Sequence, residues 1–349
     1  MALRSHLQVA NNNGAALATP PAALSGSQPK APGSAGGLIT VVQLATNELN
    51  KVVVGQEPLI RQALATFLCG GHGLIEGVPG VAKTLTVKCM AHVLNLGFRR
   101  VQCNSDLMPA DIIGTNVFDA KLADFRVHKG PLFTELLLVD EINRMPPRTQ
   151  AALLEAMEER QATIDGVSYP LPPCFTVFAT QNPVEFEGTY PLPEAQLDRF
   201  LLKISVHYPD LGSELKILNE HSARLDSRNL ENLGLSSIDP EALQLARQLV
   251  VEVTVEPGLT EYVARLVRKT REWPAIRLGA SPRAAIAVLR VAKAFAAMEG
   301  RDFLIPDDVK SAARCCLRHR ILLNPEAELE GVTPDEALEQ VIRSVEVPK

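Results

Sequence analysis

Glu76-Gly77-Val78-Pro79-Gly80-Val81-Ala82-Lys83-Thr84 lies between a short apolar run, His72 to Ile75, and a helical pattern. It matches the phosphate-loop pattern G-x-x-x-x-G-K-[ST] at every position except the second glycine, where Ala82 stands. A Gly-rich turn that opens a helix aims a row of backbone N–H groups and a positive helix end at one point, so a phosphate group belongs there. Lys83 is placed to set its ammonium between the β- and γ-phosphates of a nucleotide. The Thr84 hydroxyl is one of the few protein ligands that a partly hydrated Mg²⁺ accepts. The expected cradle runs from Gly77 through Val78, Pro79, Gly80, Val81, Ala82, Lys83 and Thr84 to Leu85. Taken alone, the loop also reads as a Gly/Pro turn before a helix that carries Lys-Thr.

A second stretch bears on that choice. Leu136-Leu137-Leu138-Val139-Asp140-Glu141 is an unbroken apolar run that ends in two acids, the pattern of a strand buried on both faces of a parallel sheet. Such a strand delivers its last residues to the carboxyl edge, where a phosphate loop also lies and ligands bind. Asp140 is then expected to hold Mg²⁺ through its water shell, and Glu141 to polarise the attacking water. The plainer reading is a surface Asp-Glu pair at a strand end. Phe175 to Asn182 is a further strand pattern, and the Asn182 amide at its tip is placed to hold that water opposite Glu141. Asn182-Pro183 also reads as a turn initiator.

The chain has 349 residues, 46% apolar and 21% charged, enough for two domains with cores of their own. A net charge of −5 and a pI near 5.9 give no broad basic field, so non-specific binding to nucleic acid or to an anionic membrane is disfavoured. Six cysteines show no C-x-x-C spacing, which suits reduced core thiols of a cytoplasmic protein and offers no metal site. No run approaches the roughly 18 apolar residues of a membrane span, and no secretory signal core is present. Residues 1–37 are Ala-, Pro- and Gly-rich, with Arg4 and Lys30 the only fixed charges, and are expected to be a disordered tail. Alternating strand and helix patterns then fill 38–209, and helical spacing prevails over 210–349. The expected fold class is α/β: a parallel sheet covered by helices, followed by a helical domain.

In this order the pieces resemble an AAA+ ATPase, and most closely its MoxR branch. The likeness is carried by Gly77 to Thr84, Asp140-Glu141-Ile142-Asn143-Arg144, Leu153 to Glu159, Ala179-Thr180-Gln181-Asn182-Pro183, Pro191 to Phe200, and Gly279-Ala280-Ser281-Pro282-Arg283. It runs from about Leu38 to the C-terminus, and Ala82 is itself typical of the branch. The resemblance implies a P-loop sheet sandwiched by helices with an all-α lid, ATP and Mg²⁺ as cofactors, and a self-assembled ring, a hexamer, with sites completed between subunits. It implies that Asn182 is the sensor-1 position, that Arg199 is an arginine finger offered to a neighbour, and that Arg283 touches the γ-phosphate of its own subunit's nucleotide. Without the resemblance both arginines read as ordinary solvated charges. Val53-Val54-Gly55-Gln56 resembles the adenine-side segment, and also a plain apolar turn.

Two stretches, Ser105 to Lys129 and about Gln161 to Pro173, resemble insertions that face the ring axis and contact a partner or substrate, and also read as structural hairpins. The implied use is chaperone-like maturation of a client protein complex, with metal or cofactor insertion, assisted by a protein carrying a von Willebrand factor A domain. Rival uses of the same fold are a nucleic-acid motor or transcription activator, which the acidic balance disfavours, and a nucleotide-dependent scaffold that does not hydrolyse.

Overall fold

The computed structural model describes residues 34–183, 188–222 and 234–348. Most of the segment read as a disordered tail, residues 1–33, lies outside the described residues. The periodic part opens with α1 (Ser34–Asn50) and α2 (Glu57–Leu68). Helix α1 begins at Ser34 rather than at Leu38, because Leu38, Val42, Ala45 and Leu49 form one buried stripe and the turn before Leu38 completes its helical hydrogen bonding.

The α/β alternation follows: β1 (Gly73–Gly77), α3 (Lys83–Val93), β2 (Phe98–Gln102), α4 (Pro109–Ile113), β3 (Gly114–Asp119), β4 (Asp124–Lys129) and β5 (Leu136–Asp140). Next come α5 (Pro147–Glu159), β6 (Gln161–Ile164), β7 (Val167–Pro170), β8 (Thr176–Gln181), α6 (Glu194–Leu197) and β9 (Leu202–Val206). Five of these strands make one sheet in the order β2-β5-β8-β1-β9, every pair parallel.

Side chains alternate across it, as strand geometry requires. Ile75, Leu136, Leu138, Phe178 and Ile204 enter a core shared with α1, α2, α3 and the lid helices. Leu74, Leu137, Val139, Val177 and Ala179 enter a second core under α4 and α5, with Leu153, Leu154 and Met157. Helices cover both faces, so β5 is buried throughout. The sheet has two functional rims as a result: Gly77, Asp140 and Gln181 end strands at the carboxyl rim, and Gly73, Leu136 and Leu202 begin them at the amino rim.

Pairs β3–β4 and β6–β7 are antiparallel hairpins outside the sheet. The second turns through Asp165 and Gly166, both at positive φ (47° and 80°), which the Asp-Gly pair accommodates. Asn116 Nδ2 donates to Asp165 Oδ2 at 2.7 Å, joining the hairpins. The first leaves Phe118 and Phe125 exposed and packed edge to face.

Beyond β9 the chain is helical: α7 (Leu211–Ser222), α8 (Pro240–Glu252), α9 (Pro257–Thr270), then β10 (Ile276–Leu278), α10 (Pro282–Met298), α11 (Pro306–Leu317), β11 (Leu322–Leu323), α12 (Pro325–Leu329) and α13 (Pro334–Ser344). Ser281 and Thr333 cap α10 and α13 by accepting from Ala284 N–H and Glu336 N–H. The small β10–β11 ribbon and an isolated bridge between Thr254 and Phe303 interrupt the helices here. All six cysteines are free thiols, and no helix of the described residues is long and apolar enough to cross a membrane.

Candidate active site

The loop after β1 is shaped by close contact and by left-handed backbone. A Cβ on Gly77 would lie 2.7 Å from the Val206 carbonyl oxygen of β9, so only glycine fits. Gly80 and Ala82 both have positive φ, 85° and 61°. Ala82 thus occupies the left-handed position that the second glycine of the general pattern serves, at a cost of about 1–2 kcal/mol. Lys83, the first residue of α3, donates from Nζ to the carbonyls of Gly77 and Gln181, the ends of β1 and β8. Its ammonium is held over the carboxyl rim between them.

The acid side is equally local. Thr84 Oγ1 donates to Asp140 Oδ2 at 3.1 Å, so the hydroxyl and the carboxylate expected to serve Mg²⁺ already adjoin across the rim. These hard oxygen donors, from a helix start and a strand end, fit that cation. Asp140 is 8% exposed; its other oxygen accepts from Thr180 Oγ1 at 2.5 Å, and Arg100 Nη2 reaches Oδ2 at 2.7 Å. Glu141 stands one residue on with φ 60°, a left-handed non-glycine residue of the kind that clusters at functional sites. Its backbone N–H donates to the same Thr180 hydroxyl at 2.9 Å, and its Oε2 accepts from Gln102 Nε2 at 3.0 Å.

A cavity of 390 Å³ opens between these groups. Lys83, Thr84, Asp140, Glu141 and Asn182 line it, with Pro79, Gly80, Ala82 and Leu85 from the loop. Sequence reasoning missed Arg100, Gln102 and Thr180, which line it too. Thr180 stood inside a stretch already singled out, two residues before Asn182, whereas β2 carried no sign of its place beside β5. Val53 and Val54 do not line this cavity; Val53 is 1% exposed and packs in the core. Their turn flanks the same rim beyond β9, with Gln56 Nε2 donating to the His207 carbonyl at 3.0 Å.

Arg199 and Arg283 are elsewhere. They line a second cavity, 290 Å³, with Gly70, Gly71 and His72 ahead of β1 and Glu158 and Arg160 at the end of α5. Each of those segments meets the sheet at its amino rim. The expectation that Arg283 touches its own subunit's γ-phosphate is therefore corrected. The rims are separated by the five residues of β1, roughly 16 Å at about 3.3 Å per residue. The reason is tertiary: the lid packs its α10–α11 pair against α2 and β9, which carries the start of α10 to the amino rim. There Arg283 Nη2 pairs with Glu158 Oε2 at 2.5 Å, and its Nε lies 4.0 Å from Asp198 Oδ2. The Arg283 hydrogen bond holds the Glu158 carboxyl below its ordinary range, aided by the Arg199 charge. His72, buried and facing Arg160, is pushed down to about 4.

Residues 72–202 match the model of the ATPase family associated with various cellular activities, and residues 268–341 match an AAA lid domain. The chain is 40% identical over 332 residues to a protein of Mycobacterium tuberculosis named chaperone MoxR1, covering 91% of this chain and 86% of that one. It is 31% identical over 323 residues to protein MoxR of Methylorubrum extorquens, covering 86% and 93%. Among solved structures it is similar to a Cytophaga hutchinsonii protein described as a candidate ATPase, with a TM-score of 0.83 at 42% identity, over 90% of this chain and 97% of that one.

Proposed function

Because this chain belongs to the MoxR family of AAA+ ATPases, we propose that it hydrolyses ATP in a homohexameric ring whose sites are each completed by a neighbouring copy. One observation carries the reading: the cradle and the twin acids share one rim of the sheet, while both arginines stand together at the opposite rim. A guanidinium there can reach only another copy's nucleotide.

The chemistry follows from these positions. The loop N–H groups and Lys83 neutralise the terminal phosphates. Thr84 and Asp140 would hold Mg²⁺, which supplies further charge neutralisation when bound. Glu141 polarises the attacking water, with Asn182 holding it from the adjacent strand tip. Thr180 fixes both acids by donating to Asp140 and accepting from the Glu141 N–H. Arg199 and Arg283 meet the charge that develops on a neighbour's γ-phosphate, a contribution of roughly 10³- to 10⁵-fold for a finger of this kind. The turn that carries Val53 and Val54 offers backbone groups to the base, the Val53 side chain being buried in the core.

The use of this turnover that the relatives support is remodelling or maturation of a client protein complex, since one of them is named a chaperone. The joined hairpins, with Phe118 and Phe125 exposed on one of them, offer the surface for the client or for a von Willebrand factor A partner. A cytoplasmic setting fits this use, and the charge of −5 speaks against nucleic acid as the client. Glu141→Gln tests the core of the reading. ATP binding measured by calorimetry is retained while phosphate release falls about 10²- to 10⁴-fold; unchanged release removes Glu141 from its role and favours a scaffold.

A further inference from the structure

Asp198 to Leu201, the segment that carries Arg199, is held by a residue of the lid. Arg320 lies between α11 and β11 with its side chain 3% exposed. A guanidinium has five N–H donors in a fixed plane, and this one makes five hydrogen bonds. Nε donates to Asp198 Oδ1 at 2.6 Å and Nη2 to the Asp198 and Phe200 carbonyls at 3.1 and 2.7 Å. Nη1 donates to the Leu201 carbonyl at 3.0 Å and to the Cys316 carbonyl at 2.8 Å. Four of the five thus fall on the residues that flank Arg199. The neighbouring His319 adds Nε2 to the Phe200 carbonyl at 3.1 Å.

The same lid loop is tied to Arg283. Leu322 pairs with Leu278 across the β10–β11 ribbon, which leads directly into the Ser281 cap of α10. Gly279 is pressed so close to the Arg271 backbone that a Cβ would lie 2.6 Å from it, and Arg271 Nε donates to the Ala280 carbonyl at 2.8 Å. Asp198 is shared as well, with Arg320 on Oδ1 and Arg283 facing Oδ2. A buried guanidinium loses heavily if its partners shift, so this geometry resists independent movement of finger and lid.

We propose that Arg320 is a positioning residue for the arginine finger: it bolts the Asp198–Leu201 backbone to the lid loop, so that Arg199 and Arg283 approach the neighbouring subunit's nucleotide as one rigid pair. This rests on the proposed action of Arg199 in trans. Arg320 touches no phosphate itself; its effect is on where Arg199 points.

The test uses full-length rings and the Arg320→Met variant, whose apolar stem fills the same space without donors. Its kcat falls about 10²-fold, the scale of a roughly 1 Å misplacement, while its KM for ATP stays near wild type because the cradle is untouched. Mixed with a Lys83→Ala chain it regains turnover, since it has an intact cradle and borrows an intact finger; mixed with an Arg199→Ala chain it does not. A wild-type kcat, recovery with Arg199→Ala, or no recovery with Lys83→Ala overturns the proposal. The control mixture of Arg199→Ala with Lys83→Ala contains no Arg320 change, so its failure indicts the trans reading instead, and this proposal with it. Arg320→Lys keeps the charge without the fork and remains impaired; restoration by Lys also overturns the assignment. Should the Met variant fail to fold by circular dichroism, Asp198→Asn takes its place in the same mixtures, and the same recovery pattern with a smaller kcat loss is required.

Discussion

Consider rings assembled from two inactive chains, one carrying Lys83→Ala and the other Arg199→Ala. The cradle and the finger of one chain lie on opposite rims of the sheet, separated by a five-residue strand, or roughly 16 Å. No side-chain rearrangement brings them to one nucleotide. Each pure variant should therefore be close to silent, with loss of the finger alone worth about 4–7 kcal/mol of barrier. In a head-to-tail ring every site takes its cradle from one chain and its guanidinium from the next. With random assembly, an intact cradle meets an intact finger at a fraction p(1−p) of interfaces, where p is the share of one chain. Steady-state phosphate release over a series of mixing ratios should peak at equal proportions, at about a quarter of wild type, and fall to about 19% at three to one in either direction. Arg283→Ala should replace Arg199→Ala in this mixture with the same curve. Activity that stays at the sum of the parents at every ratio refutes completion in trans. Recovery in a mixture of Arg283→Ala with Arg199→Ala refutes the placement of both arginines on one donating rim.

Three further outcomes are expected. The His72 side chain accepts from the Val177 N–H at 3.0 Å and donates to the Met157 carbonyl at 3.2 Å, and its folded-state pKa of about 4 lies below the ordinary 6.5. Its contribution to stability is thus complete above pH 6.5 and is lost as the pH falls toward 4, about 2 kcal/mol between pH 7 and pH 5; urea unfolding of His72→Gln should lack that part of the slope, and equal slopes would count against the assignment. Ala82→Gly relieves about 1–2 kcal/mol of left-handed strain against about 0.5–1 kcal/mol of added unfolded-chain entropy, so the urea midpoint should rise slightly, whereas Ala82→Val should lower it. Thr84→Ala should raise the Mg²⁺ concentration for half-maximal ATPase at least about 10-fold, since even outer partners of a metal site are worth that much; an unchanged Mg²⁺ titration removes the hydroxyl from the metal site.

Contiguity decided what could be read before the fold was known. Lys83 and Thr84 are neighbours in a turn whose phosphate chemistry is local, and β5 announces itself through four apolar residues ending in Asp140 and Glu141, because a strand buried on both faces leaves no polar position. Asn182 was legible as the tip of another such strand. Arg100, Gln102 and Thr180 were not, because they reach the site through the lateral order β2-β5-β8, which no single strand encodes. Arg283 shows the same limit more sharply. Its place at a helix start after Ser281-Pro282 is a local matter, but its rim depends on how the lid packs against α2 and β9. The residues in order determined a Gly-rich turn opening a helix, a buried strand ending in two acids and a helical lid, since each rests on short-range backbone geometry. Only the tertiary structure decided which groups share a cavity and which stand at the opposite rim, since that depends on strand order and on the docking of the lid, both set by contacts between residues far apart in the chain.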